Sequence, residues 1–573
     1  MSVVLSEHLP LLSTAPDGVQ KLRGLILELA VRGKLALQDP QDEPASDLLK
    51  RIARERARLE ANGVRKKNKE TLLSDSDAEP FELPRGWALT NLASIALINP
   101  RNAADDSVGA SFVPMAMIGN RFDGSHQQEL RKWGEVKQGF THFAEGDIGV
   151  AKITPCFENS KACVFAGLQN GIGAGTTELH IIRPFAQTLE PRYVLAYLKA
   201  PMFLAAGETK MTGTAGQKRL PKDFLESNPF PLPPLAEQRR IVAKADELMA
   251  LCDRLEAEQA HAESAQAKLV DTLLGTLTQS TDAADLVANW QRLAQHFDIL
   301  FTTESSLEAL KQTILQLAIM GKLVPQDSND EPAIDLLKQI AQERAQLVHI
   351  GKIRAPKSLD RISASETTFS APAGWEWVKL GSVVELINGD RSKNYPNREE
   401  YVPTGVPWIN TGHIQPDGTL ATVGMHYITR EKFDSLRSGK IEQHDLVYCL
   451  RGATFGKTAF VTPYSEGAIA SSLVIVRPYL PALRRFLFLY LTSPFGRSQI
   501  FRFDNGSAQP NLSANSVTLF ALAIPPLAEQ HRIVAKVDEL MALCDRLKGD
   551  LAQSRNRQAR LASTLIETAL DAA

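Results

Sequence analysis

Between residues 241 and 255 the apolar positions Ile241, Val242, Ala245, Leu248, Met249, Cys252 and Leu255 recur at steps of three and four, with charged residues between them. That period is a helix with a single apolar stripe. Pro233 and Pro234 precede the run, and an Ala/Glu/Gln/Lys-rich stretch carries it on to about residue 277. The pattern predicts a helix of about 44 residues, roughly 65 Å long at 1.5 Å per residue. Such a helix cannot bury its stripe alone and needs an antiparallel partner.

Candidates for that partner lie near the start of the chain. The pattern predicts a helix over residues 19–32, ended by Gly33 in the left-handed position after its last turn. A second helix is predicted from about Asp42, with Pro44 in its first turn and Leu48, Leu49, Ile52 and Leu59 on one face. A charged, Ser-rich connector follows, RKKNKETLLSDSDAEP. Beyond it lie short β-branched runs such as ELHIIRP (residues 178–184), punctuated by Gly, Asn and Pro, which predict a domain of mixed α+β or α/β class.

All of this is written twice. PPLAEQRRIVAKADELMALCDRL (residues 233–255) returns as PPLAEQHRIVAKVDELMALCDRL (residues 525–547), with His531 in place of Arg239 and Val537 in place of Ala245. LRGLILELAVRGKL (22–35) returns as LKQTILQLAIMGKL (310–323), RGWALTNLASI as AGWEWVKLGSV, and ELHIIRP as SLVIVRP (472–478). The architecture is a tandem duplication of a unit of about 287 residues, half the chain of 573. The five predicted segments are 1–78 (helical, repeated at 305–368), 79–232 (globular), 233–368 (helical), 369–524 (globular) and 525–573 (helical). Most of what lies between the repeated stretches does not match.

Composition changes this picture little. With 44% hydrophobic and 23% charged residues the chain is an ordinary soluble protein. Its start, MSVVLSEHLPLLS, has no basic and apolar leader pattern, and no window approaches a membrane span, so a cytoplasmic protein is expected. The five cysteines show no CxxC pairing and read as reduced core residues rather than metal ligands. The formal net charge of -2 is unevenly spread: residues 80–232 carry 15 Lys and Arg against 14 Asp and Glu, and residues 372–526 carry 15 against 12. Two mildly basic segments sit in an acidic frame, which is weak support for a DNA-binding face.

Catalytic motifs fail on spacing. RGATFGKT (451–458) resembles a phosphate-binding loop but is one residue short between its glycines, and its counterpart ITPCFENSK has no glycine. GIGAGT (171–176) precedes a strand instead of following one, with no acidic residue at the distance a dinucleotide fold requires. SNPFPLPP (227–234) lacks the second proline of the Asn-Pro-Pro-aromatic motif of amino-methyltransferases. No HExxH, GxSxG or clustered His/Asp/Glu set is present. The chain reads as one that catalyses nothing itself.

Two variable globular segments, each closed by the near-identical PPLAEQ helix, resemble the specificity (S) subunit of Type I restriction-modification enzymes. The resemblance spans essentially the whole chain. GDIGVAKITPCFENSK (146–161), HDLVYCLRGATFGK (444–457) and VPWINTGHI (406–414) are similar to segments of target-recognition domains in that family. It implies two target-recognition domains joined by long antiparallel conserved helices in a pseudo-twofold duplication, each domain reading one half of a bipartite, asymmetric double-stranded DNA site. It further implies that the helices dock two methyltransferase (M) subunits, which hold S-adenosylmethionine, and that a full complex adds two restriction (R) subunits using ATP and Mg. The helices would stay alike because they serve identical partners, and the domains differ because they read different half-sites. The rival reading is a duplicated coiled-coil scaffold whose globular domains bind proteins.

Reading base edges takes Arg or Lys for guanine and Asn or Gln for adenine, on loops that can enter a groove. The polar loops just upstream of each PPLAEQ helix offer Gln217, Lys218 and Arg219 in the first copy, and Asn505, Ser507, Gln509 and Asn511 in the second. NGDRSKNYPN (388–397) adds Arg391, Lys393 and Tyr395. Lys152 and Arg451 are placed in a shared loop, and Arg131 and Lys132 are either phosphate contacts or surface charge. Trp87 and Trp375, in matched Gly-Trp pairs, read as core anchors at the domain entrance rather than stacking platforms.

Overall fold

The computed structural model describes residues 12–61, 81–185, 188–214, 216–451, 455–503 and 512–572. The chain divides into two compact units, one of residues 1–263 with 553–573 and one of residues 264–552. Both boundaries fall within long helices, Leu235–Gln279 and Leu527–Ala572. The first of these is the helix that the apolar stripe predicts.

In the first unit, helix Gly18–Val31 is followed by Gly33 at φ 71°. A Cβ there would stand 2.4 Å from the Pro84 ring and 2.8 Å from Trp87, so glycine is required by both the backbone and the neighbours. The next helix begins at Ala45, not at Asp42. Asp42 is drawn away by Arg240, which donates to its carboxylate at 2.6 Å, and the Pro44 carbonyl accepts from the first turn in its stead. The stripe of the long helix is buried by this unit's own elements: Ile241, Val242, Ala245, Leu248, Met249 and Cys252 share a core with Leu22, Leu25, Ile26 and Leu29. Arg23 also donates to Asp253 at 2.6 Å. Ala562 and Ala569, from the end of the C-terminal helix, complete the same core.

The strands of this unit are β1 (Ala88–Asn91), β2 (Ala96–Ile98), β3 (Gly109–Val113), β4 (Glu129–Lys132), β5 (Thr141–Ala144), β6 (Ile148–Ala151), β7 (Ala162–Val164), β8 (Ile172–Gly175), β9 (Leu179–Pro184) and β10 (Pro229–Leu232). β1 and β10 pair antiparallel, Ala88 opposite Leu232, and clasp the two ends of the globular segment together. One sheet runs β2-β9-β6-β7 and the other β4-β3-β8-β5, antiparallel except for β3 with β8. β6 is buried throughout and β9 over its first four residues, so both show apolar runs without alternation. Helix Pro191–Lys199 packs between the first sheet and helix Gly18–Val31.

The second unit repeats this plan with β11 (Glu376–Lys379), β12 (Val384–Asn388), β13 (Val406–Ile409), β14 (His426–Ile428), β15 (Leu446–Cys449), β16 (Thr458–Phe460), β17 (Ala468–Ile469), β18 (Leu473–Pro478) and β19 (Ala521–Ile524). β11 and β19 form the clasp, β12-β18-β15-β16 the larger sheet and β14-β13-β17 the smaller. The counterpart of β5 shrinks to a single bridge between Lys440 and Ala468. Helices Glu304–Ile319 and Ala333–His349 repeat the N-terminal pair, and Lys311 donates to Asp545 as Arg23 does to Asp253.

The repeated stretches of sequence meet at one place in each unit. Trp87 donates its indole N–H to Glu237 at 3.0 Å, and Trp375 to Glu529 at 2.9 Å. The Gln238 and Gln530 amides close back on the carbonyls of Pro233 and Pro525 at 3.0 and 2.9 Å. Arg240 pairs with Asp42 and Arg532 with Asp330, each at 2.6 Å. The Gly-Trp pair, the Asp-Glu-Pro triplet and PPLAEQxR are thus parts of one lock that holds a globular domain to its helices. This internal duty is a reason for sequence identity in addition to any shared partner.

Burial pushes the Glu237 carboxyl up from 4.5 to about 7, against the Trp87 N–H that donates to it and the nearby Arg240 charge, which hold it down. Between those values the folded chain binds a proton that the unfolded chain does not, so this group's contribution to stability falls as pH rises from about 4.5 to 7. Glu237→Gln keeps an oxygen for Trp87 and removes the titration. The stability difference between wild type and Glu237→Gln, from denaturant melts at several pH values, should shift by on the order of 3 kcal/mol against wild type across that window. An unchanged difference would contradict the assignment.

Candidate nucleic-acid interface

The β2-β9-β6-β7 sheet and its counterpart β12-β18-β15-β16 are each braced by a carboxylate at the entry to a central strand. Asp147, 2% exposed in its side chain, accepts from the Ala144 N–H and from Arg183 Nε and Nη2 at 2.8 and 2.7 Å. Asp445, 1% exposed, accepts from the Glu442 N–H and from Arg477 at the same two distances. Burial pushes both carboxyls up, and the arginines hold them down. GDI with IRP, and HDL with VRP, are therefore a structural brace and not a reading surface.

On that brace the first unit assembles a polar face. Lys152 follows β6, and its N–H donates to the Glu178 carbonyl at 3.0 Å. The loop over residues 212–220 is stitched to the same place. Leu220 N–H donates to Lys152 O at 2.7 Å and Thr154 N–H to Lys218 O at 3.0 Å, while Arg219 and Thr212 exchange both backbone bonds. Gly213 has φ 130°, and a Cβ there would stand 2.8 Å from Gln217 O, so the turn needs glycine. His180 is buried and its pKa is lowered, first by desolvation. Ile181 N–H donates to Asn99 Oδ1, which turns the Asn99 amide nitrogen toward His180 Nδ1. The proton therefore sits on Nε2 and is donated to Leu220 O at 3.0 Å, a neutral tautomer that ties the loop to β9.

The structure thus brings Lys152, Gln217, Lys218 and Arg219 together, with the last three exposed. It adds Glu178, which spacing alone did not single out. Glu178 accepts from Arg219 Nε at 2.9 Å and from Nη2 at 2.7 Å. These donors, first among the causes, hold the Glu178 carboxyl below the ordinary range, and Lys152 adds to that field. Arg131 and Lys132 lie apart from this group, on β4; Arg131 pairs with Glu129 and lies 4.4 Å over the Phe112 ring.

In the second unit the frame recurs with different side chains. Leu450 N–H donates to Ser472 O at 2.9 Å and Leu512 N–H to Leu450 O at 3.1 Å. Leu450 therefore stands where Lys152 does, and Arg451 is one position further along than the shared-loop reading implies. Arg451 is exposed at the end of β15. Asn505, Ser507, Gln509 and Asn511 lie outside the described residues. Arg391 and Lys393 are exposed on a turn anchored by the buried Asp390, whose carboxylate accepts from the N–H groups of Ser392 and Arg437, each at 2.6 Å. Tyr395 is half-buried, its ring edge-on to Trp408 at 5.3 Å. Trp87 and Trp375 are buried in the lock, away from any base-stacking position.

The described cysteines are free, and among the described residues no group of three or more His, Cys, Asp or Glu is placed to hold a metal ion. Among them, too, no helix is long and apolar enough to cross a membrane.

A family model for the Type I restriction modification DNA specificity domain matches residues 372–554. Over 562 residues the chain is 46% identical to the Type I restriction enzyme EcoAI specificity subunit of Escherichia coli, covering 97% of this chain and 94% of that one. It is 44% identical over 568 residues to the EcoEI specificity subunit of the same species, with the same coverage of both chains. A chain from a solved structure on complex assembly and conformational transition of the type I R-M system shares the fold. Its TM-score is 0.51 at 19% identity, over 86% of this chain and 99% of that chain. With the duplicated frame, the internal lock and identity along nearly its full length, the chain belongs to the specificity subunits of Type I restriction enzymes.

Proposed function

We propose that each globular segment, residues 79–232 and 369–524, is a target-recognition domain reading one half of a bipartite, asymmetric site in double-stranded DNA. The helical segments 1–78, 233–368 and 525–573 dock two methyltransferase subunits, and a full complex adds two restriction subunits. A specificity subunit is non-catalytic: S-adenosylmethionine belongs to the methyltransferase subunits, ATP and Mg to the restriction subunits, and the work is done in the cytoplasm where the DNA is. The observation that carries this reading is a pair of matched backbone frames bearing different polar side chains. Lys152, Gln217, Lys218 and Arg219 stand on one, and Arg451 with Asn505, Ser507, Gln509 and Asn511 are assigned to the other. Arg391, Lys393 and Tyr395 are further contacts of the second domain. Two domains that only bound a common protein would have no need to keep the frame and change what it displays. The near-neutral charge of the domains leaves most phosphate contacts to the partners.

The test is single-molecule methylation mapping of DNA from cells holding the cognate methyltransferase subunit with and without this chain. A bipartite N6-methyladenine motif that appears only with the chain is the expected result. Unchanged methylation with subunits that still co-purify would support the scaffold reading instead.

A further inference from the structure

We propose that Glu178 is a positioning residue for Arg219, and that the pair reads a guanine in the half-site of the first domain. The inference rests on the reading of the chain as a DNA-specificity subunit and deepens it to a residue and a base.

The geometry is that of a buttressed arginine. Glu178 takes one N–H from Nε and one from Nη2 of Arg219, at 2.9 and 2.7 Å. A guanidinium has five N–H donors in a planar fork. The edge nearest the carboxylate is used, which leaves the outer Nη1 and Nη2 edge, and among the described residues no partner stands at Nη1. That outer edge matches the O6 and N7 acceptors that guanine presents in the major groove. The Arg219 side chain is 47% exposed, so the edge is open to a ligand.

Both residues stand on fixed backbone. Arg219 is bonded in both directions to Thr212, its neighbours Lys218 and Leu220 are bonded to Thr154 and Lys152, and the Glu178 carbonyl is held by the Lys152 N–H. An arginine held this way has already lost the rotamer freedom that docking would otherwise cost.

The second unit supplies an internal control on the alternative, that the pair only clamps the loop. There two of these backbone bonds recur, Leu450 N–H to Ser472 O and Leu512 N–H to Leu450 O. Ser472 stands in place of Glu178, and Asn511 precedes Leu512 in the sequence where Arg219 precedes Leu220. The acid and the arginine are lost together while those two bonds persist. The frame therefore does not need the ion pair, and an exposed ion pair adds little to stability in any case. What changes between the copies is what the loop presents to a ligand, as expected of domains with different half-sites.

The experiment is methylation mapping of the assembled methyltransferase complex containing wild type, Arg219→Ala, Arg219→Lys, Glu178→Gln or the charge-exchanged pair Glu178→Arg with Arg219→Glu. Methylation rates on duplexes carrying each base at every position of the first domain's half-site are then compared. Arg219→Ala and Arg219→Lys are expected to lose about tenfold or more of the preference for guanine at one position. Glu178→Gln should lower the preference at that same position, with the other half-site untouched. The charge exchange restores an ion pair but should not restore the guanine. If the exchange recovers wild-type preference, or if Arg219→Lys and Glu178→Gln alter no position in complexes that assemble normally, the pair is a clamp and the proposal fails. A wild-type chain that confers no bipartite motif at all would instead overturn the specificity reading itself.

Discussion

Trp375→Ala should unfold the second unit at markedly lower temperature and abolish modification of the DNA site. Trp375 is 5% exposed, lies edge-on to Phe486 with ring centroids 6.3 Å apart, and donates to Glu529. Truncation removes the ring from a packed core, at about 3–5 kcal/mol. It also takes a hydrogen-bond donor from a carboxylate that is itself 1% exposed. Gln326 still donates to the other oxygen of Glu529, so the carboxylate keeps one partner. Trp375→Phe keeps a smaller aromatic ring in the core while the donor goes, with an expected cost of about 1–3 kcal/mol. Thermal melts of the three chains, with a modification assay on each, decide the point. A Trp375→Ala chain that melts with wild type would show that the lock does not hold the domain.

The same residues show what a sequence can and cannot disclose. Duplication, the helix Leu235–Gln279, the strands within ELHIIRP and SLVIVRP, and Gly33 were all legible, because each depends on local periodicity or on a residue's own backbone preference. The partners of Glu237 and Asp42 were not legible, because Trp87 lies 150 positions from the one and Arg240 lies 198 from the other. Repetition marked both carboxylates without saying what they touch. The start of the second helix moved for the same reason: a distant arginine holds Asp42 outside the first turn. In the candidate interface, the choice of residue types favoured Gln217, Lys218 and Arg219 as readers, whereas Glu178, 41 positions away from Arg219, carries no local signal that distinguishes it from a surface acid. Asp147 lies within a family-like segment and Arg183 within a β-branched run, yet their role as a brace emerges only from the sheet that brings them together.

A larger effect on function is expected from replacing residues 369–524 with a second copy of residues 79–232. The physical basis is that both ends of the two segments meet the same anchors. Ala88 pairs with Leu232 in one clasp and Glu376 with Ile524 in the other, and each clasp leads into the same proline-led helix. The transplanted segment brings Trp87 to Glu529 in place of Trp375, and Pro84 to Gly321 in place of Pro372. Pro84 lies against Gly33 as Pro372 lies against Gly321, with the same 2.4 Å approach to an added Cβ. These anchors therefore receive the transplant without a new contact having to be invented, and the helices proposed to dock the methyltransferase subunits keep their sequence.

The most direct measurement of the central claim is the methylation motif conferred by that chimera together with the methyltransferase subunit. If each globular segment carries its own recognition, both halves of the methylated motif will be the half-site of the first domain, where the wild-type chain gives two different ones. A chimera that folds and co-purifies with the methyltransferase but confers the original asymmetric motif, or none, would contradict the account.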